Sequence, residues 1–204
     1  MFGSAAVEKN EKRAETHRIW TVGHSTRTLD EFIDLLAENE IKVLADVRSY
    51  PGSRKFPHFN REELSFSVET IGIRYIHLKG LGGRRKPRPN SENTIWRNAS
   101  FRAYADYMET DEFRDGIREL LDVAKNSRTA IMCSEAVWWR CHRSMISDYL
   151  KAAGIVVQHI MGPGQTAEHP FTAAARIVDG ELTYRPEQPD QLSLPIEPEK
   201  PAMT

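Results

Sequence analysis

Five short apolar runs alternate with stretches of helical period between residues 18 and 160, and this restricts the chain to few architectures. Ile19-Trp20-Thr21-Val22, Val43-Leu44-Ala45-Asp46-Val47, residues 73–78, residues 129–133 and Val156-Val157-Gln158-His159-Ile160 read as strands. Between them, Leu29, Phe32, Ile33, Leu35 and Leu36 recur at helical spacing behind Thr28, a suitable N-cap. Residues 61–71 form a second helical segment that stops at Gly72. Residues 100–126 hold a long helix or a pair, and residues 144–153 a further helix with Ser144 as its expected cap. Strands separated by helices must run parallel, through right-handed crossovers. Short, continuously apolar strands suit a sheet covered on both faces. The expected fold is therefore α/β: one three-layer domain, with a mainly parallel sheet of about five strands between helices. An Asp179-Gly180 turn between residues 175–178 and 181–184 adds a C-terminal hairpin.

In such a sheet, ligands bind beyond the carboxyl ends of the strands. Strand one delivers Gly23-His24-Ser25 to that rim. Strand two delivers Asp46, Arg48, Ser49 and then Arg54. Strand three delivers His77, Gly82, Gly83 and Arg84, and strand four delivers the stretch CSEAVWWRCHRS, residues 133–144. Loops are commonly polar, which is the bland explanation. The charge is skewed, however: residues 48–61 carry four cations and no acid, and residues 74–88 carry six cations and no acid. This favours an anion site, with Arg48, Arg54, Arg84 and Arg143 offering planar forks suited to phosphate. Ser49 and His77 are further candidates there, and Gly82 and Gly83 would let backbone N–H groups approach the anion.

The 133–144 stretch carries the reactive groups. Cys141, next to His142 and Arg143 and near a helix start, is expected to be rich in thiolate. Cys133, at a strand end, is either a second reactive thiol or a small buried apolar residue. His142 suits proton transfer near neutral pH. Glu135 either shares that work or orients an arginine, and His24 and Asp46 join the same group. Trp138 and Trp139 either stack on a base or pack the loop. A phosphatase-type loop fits poorly, since Arg140 follows Cys133 by seven positions and no glycine lies between them. A zinc site built on Cys133, Cys141 and His142 with His24, His58 or His77 lacks paired CxxC spacing, so neither metal nor other cofactor is expected.

Whole-chain properties exclude some classes. In 204 residues, 28 lysines and arginines nearly balance 29 aspartates and glutamates, so a polyanion partner would have to be met by local clustering. No apolar run approaches the roughly 18 residues of a membrane span, and residues 1–17 read as a charged, flexible leader rather than a signal peptide. A cytoplasmic protein with free thiols follows as the expectation.

The combination Thr21-Val22-Gly23-His24-Ser25, Asp46-Val47-Arg48-Ser49-Tyr50-Pro51, Tyr75-Ile76-His77-Leu78 with Leu81-Gly82-Gly83, and Cys133-Ser134-Glu135 with Cys141-His142-Arg143 resembles the bacterial and archaeal family called domain of unknown function 488. The resemblance runs over about residues 18–185 and implies a compact α/β domain. It implies no activity.

Residues 186–204 are rich in proline and acid and read as a disordered tail. Within them, Gln191-Leu192-Ser193-Leu194-Pro195-Ile196 is similar to the peptides by which bacterial replication and repair proteins dock on the sliding clamp. Leu192, Leu194 and Ile196 would fill an apolar groove, and Gln191 would bond its edge. The sequence thus favours an enzyme acting on nucleic acid or a nucleotide-like anion through the Cys/His/Arg group. A DNA-binding accessory module and a small-molecule sulfur or phosphate enzyme are the rivals. It specifies no oligomeric state.

Overall fold

The computed structural model describes residues 18–187. The expected leader and the clamp-like peptide, Gln191, Leu192, Leu194 and Ile196 included, lie outside the described residues. Six strands form one sheet, in the order β3-β2-β4-β1-β5-β6. They are β1 (Arg18–Gly23), β2 (Val43–Asp46), β3 (Arg74–His77), β4 (Thr129–Cys133), β5 (Val156–Gly162) and β6 (Gln165–Glu168). The first five are mutually parallel, and β6 runs antiparallel to β5. Five helices connect them: α1 (Leu29–Glu38), α2 (Arg61–Thr70), α3 (Ala99–Met108), α4 (Asp111–Ala124) and α5 (Arg143–Ala152). Strands β7 (Arg176–Val178) and β8 (Glu181–Thr183) form the C-terminal hairpin.

Alternation along the strands sorts the core into two halves. Trp20, Val22, Leu44, Ala130, Met132 and Ile160 face α1 and α2, where Phe32, Leu35, Leu64 and Val68 meet them. Ile19, Ala45, Ile131, Cys133 and Val157 face the other way, onto Tyr104, Phe113, Leu120, Met145 and Leu150 of α3–α5. Each fully buried Val, Leu, Ile, Phe or Met among them contributes about 1.5–3 kcal/mol.

Local signals act where the sequence places them. Thr28 caps α1 in a reciprocal box with Glu31. Gly72 takes φ +80° just past α2, and Asp179 and Gly180 both take positive φ in the hairpin turn. Residues 100–126 split into two helices because Thr110 caps Phe113 N–H and starts α4. Two expectations are corrected. Ser144 is not the cap of α5: His142 occupies that position without a side-chain cap, and the Ser144 hydroxyl donates to Cys141 O at 2.9 Å. The sheet also has a sixth strand, since β6 is wholly exposed, its sequence QTAE lacks apolar alternation, and only the ladder to β5 defines it.

The order of strands creates one crevice. From β2 the chain moves outward to β3, whereas from β4 it crosses β1 to reach β5. Loops after these adjacent strands therefore part, which is where open α/β sheets hold ligands.

Candidate functional site

A cleft of about 1090 Å³ opens above this crevice. His24, Arg48, Ser49, Cys133, Cys141 and His142 all line it. The β1 and β4 backbones stay zipped beyond the strands, His24 N–H donating to Cys133 O at 3.0 Å and Ser25 N–H to Ser134 O at 2.9 Å. Gly23 is required at this crossing, because a Cβ there would stand 1.8 Å from Glu135 O.

The two sulfurs lie 3.1 Å apart at the floor. Arg143 sits behind them, 1% exposed. Its Nε donates to Cys133 Sγ at 3.0 Å and to Cys141 Sγ at 3.4 Å, and its backbone N–H also reaches Cys141 Sγ at 3.4 Å. Nη2 donates to Glu135 O at 2.6 Å, and Nη1 to Thr21 Oγ1 at 3.1 Å. Burial opposes ionisation of both thiols. At Cys141 this is outweighed by the hydrogen bond from Cys133, the Arg143 guanidinium and His142, which hold its pKa at about 5. Burial and the contact with Cys141 push the Cys133 thiol well above its ordinary range. The two sulfurs therefore titrate as a pair that holds one proton and one negative charge beside Arg143.

Arg143 is itself aimed by a buried chain of hydrogen bonds. Thr21 Oγ1 meets His159 Nδ1 at 2.7 Å, His159 Nε2 meets His169 Nδ1 at 2.9 Å, and His169 Nε2 meets Asp148 Oδ1 at 3.0 Å. A carboxylate only accepts, so His169 donates from Nε2, and as the neutral ring it accepts at Nδ1. His159 must then donate from Nε2. Burial, with His169 and Arg143 nearby, lowers its pKa to about 2, so the ring is neutral and its Nδ1 accepts from Thr21 O–H. Thr21 is left to accept from Arg143. Every proton in the chain is thereby assigned, from the guanidinium at one end of α5 to Asp148 further along it. Tyr184 O–H and Thr172 O–H complete the Asp148 shell, and the Trp138 ring stacks flat on His159 at 4.5 Å.

The other rim groups are held as neatly. Asp46 is fully buried, accepting from Arg48 Nε and Nη2 and from Tyr75 O–H. Burial and Arg48 lower His24 to about 4; its Nδ1–H bonds Ser25 O, leaving Nε2 toward Arg48 Nη1 at 3.4 Å. Burial likewise lowers His142. Its Nε2–H donates to Val47 O at 2.9 Å, which leaves Nδ1 unprotonated beside Gly83, where a Cβ would come within 2.5 Å of it.

The structure gathers Cys133, Cys141, His142, His24, Arg48, Ser49, Gly83, Arg84 and Glu135 around one cleft. It gives some candidates different work. Arg143 is buried and committed to protein acceptors, so it holds the thiolate and is not free to grip a phosphate. Asp46 anchors Arg48. Gly82 makes room for Ser49, whose Oγ accepts from Arg84 N–H, so both fasten the loop. His77 bonds Arg48 O, and Arg54 is exposed beyond the lining. Trp139 is 51% exposed. Among the described residues, no group of three His, Cys, Asp or Glu side chains gathers as metal donors. Thr21, His159, His169 and Asp148 were not anticipated. The signal was a polar residue inside each of two apolar strands, Thr21 and His159, which are direct partners in the β1–β5 register.

Fold and site together define an α/β protein with a paired-thiol cleft at a strand-order switch point. The chain belongs to the family Domain of unknown function DUF488, whose model matches residues 28–150, more than half of its length. That span holds the sulfurs, Arg48 and Arg143, and begins after the Gly23-His24-Ser25 motif. Comparison with curated proteins and with solved structures found no match. Among the described residues, no helix is long and apolar enough to cross a membrane.

Proposed function

We propose that this protein is an enzyme in which Cys141 attacks an anionic, nucleotide-like substrate or nucleic acid. The observation that carries the reading is the Cys141 sulfur at the cleft floor, in contact with Cys133 and Arg143. His142 Nδ1 is the proton carrier. Arg48, Arg84 and Arg140 line the cleft against a single acid, Glu135, and meet the negative charge. Tyr50, 71% exposed and 5.7 Å from the Arg84 guanidinium, offers a platform for a base. The site suits a cytoplasmic setting, where thiols stay reduced.

The test is the pH dependence of iodoacetamide alkylation of the full chain. Cys141 should react with a midpoint far below the ordinary thiol value of about 8.5, and Cys133 should stay unreacted. A Cys141 that reacts only above that value overturns the reading. Arg84→Ala and Arg140→Ala should weaken oligonucleotide binding and flatten its dependence on salt. If binding to oligonucleotides is steep in salt but survives loss of both cysteines, and Cys141 titrates normally, the accessory-module reading replaces this one. Delivery to DNA is assigned to the tail: a peptide spanning Gln191 to Ile196 should bind a bacterial sliding clamp at micromolar concentration. No binding at high micromolar concentration removes that partner.

A further inference from the structure

A nucleophilic enzyme requires one cysteine at its cleft floor, and this chain places two there. Cys141 lies on the irregular segment before α5, with extended backbone at φ −141° and ψ 167°. Cys133 is the last residue of β4, held between β1 and β2 in the centre of the sheet. The sulfur contact of 3.1 Å must shorten to about 2.05 Å to form a bond, and the segment carrying Cys141 is the one free of strand pairing. Cys133 is 2% exposed and touches Cys141 Sγ at 3.1 Å, within reach of an adduct on its neighbour. Cys141 is only 7% exposed, which admits a small oxidant more readily than a bulky disulfide.

We propose that Cys133 and Cys141 form a two-electron dithiol couple, oxidised at Cys141 by a hydroperoxide and closed into an internal disulfide by Cys133. The inference rests on the proposed reading of Cys141 as the thiolate nucleophile of the cleft. In the first step the Cys141 sulfur attacks the distal peroxide oxygen. The O–O bond breaks, an S–O bond forms, and the departing alkoxide takes a proton from solvent. In the second step the Cys133 sulfur attacks Cys141 Sγ, the S–O bond breaks, and the hydroxyl leaves as water with the Cys133 proton. Two electrons pass from sulfur to peroxide. Two equivalents of a monothiol reductant return the pair to its starting state.

Arg143 sets the direction of this couple. In the reduced state its buried guanidinium faces a thiolate; in the disulfide it faces none. Oxidation is opposed by that loss, so the disulfide should be easily reduced, as expected where the reduced form is the stabilised one.

The experiment treats the reduced full chain with one equivalent of hydrogen peroxide and measures intact mass and remaining thiols. The native protein should lose two hydrogens and both of the thiols that alkylate once it is denatured, and glutathione should restore it. Cys133→Ser should instead gain one oxygen atom at Cys141, captured by dimedone. Cys141→Ser should remain unchanged. Oxygen added to Cys141 of the native protein without loss of hydrogens, or disulfides only between chains, overturns the proposal while leaving the thiolate nucleophile intact. A Cys141 that neither alkylates at neutral pH nor reacts with peroxide removes both readings.

Discussion

Arg143→Met is expected to destabilise the folded protein by about 3–5 kcal/mol, the range for removing one partner of a buried ion pair. It should also return Cys141 toward the ordinary thiol range. Both effects come from one geometry. The guanidinium is 1% exposed and donates to two sulfurs, to Thr21 Oγ1 and to the Glu135 carbonyl. Methionine fills similar volume but leaves the carbonyl and the thiolate without their donors, inside a site water barely reaches. Cys141 then takes up a proton to avoid an isolated buried charge. The sign for pH follows. A folded pKa of about 5, below the unfolded value, contributes stability that is complete above the unfolded value and is lost as pH falls through about 5. The native protein should gain stability from this group between those limits, and the variant should not. Urea midpoints across that range, with alkylation profiles, check both statements. Arg143→Lys retains a charge but not the planar fork, so it should fall between the two.

The second large effect is expected at Asp148, which never enters the cleft. Asp148→Asn should cost about 3 kcal/mol or more, since a buried carboxylate accepting from charged or aligned donors is replaced by a group that is half donor. Asp148 accepts from His169 Nε2, Thr172 N–H, Thr172 O–H and Tyr184 O–H, at 2.6–3.0 Å. The amide can satisfy fewer of them. It can also invert the chain: once His169 donates from Nδ1, His159 must accept at Nε2 and donate from Nδ1, and the Thr21 O–H loses its acceptor and must turn, which unsettles the oxygen that accepts from Arg143. The distinguishing readout is the Cys141 alkylation profile. If Asp148 acts through the histidines, its midpoint should rise in Asp148→Asn, and Thr21→Val should raise it as well. Loss of stability with an unmoved midpoint would assign Asp148 to packing alone.

Much of this arrangement was legible before any coordinates. Apolar runs placed five strands, and the parallel-sheet rule sent His24, Arg48, Cys133 and Cys141 to one rim, where they share a cleft. The sixth strand was not legible, because QTAE is exposed and polar and only its partner defines it. The place of Arg143 was not legible for a physical reason. A sequence shows that an arginine stands beside two cysteines, but not which side of the sulfurs it occupies, and here it approaches from the core. The glycines at 82 and 83 invited an anion cradle, yet close approach to Ser49 and His142 explains them. His159, His169 and Asp148 are spread over three elements, and their hydrogen-bonded line exists only after β1 and β5 pair.

The zipped backbones beyond β1 and β4 have a bearing on how this scaffold can diversify. Main-chain bonds from His24 and Ser25 to Cys133 and Ser134 fix the strand-end sulfur without help from the outer walls. Tyr50, Arg84 and Arg140 are all exposed, so their replacement should perturb neither the sulfurs nor the chain behind them. The outer residues can therefore be exchanged to reshape the mouth of the cleft while the sheet-borne floor beneath stays constant.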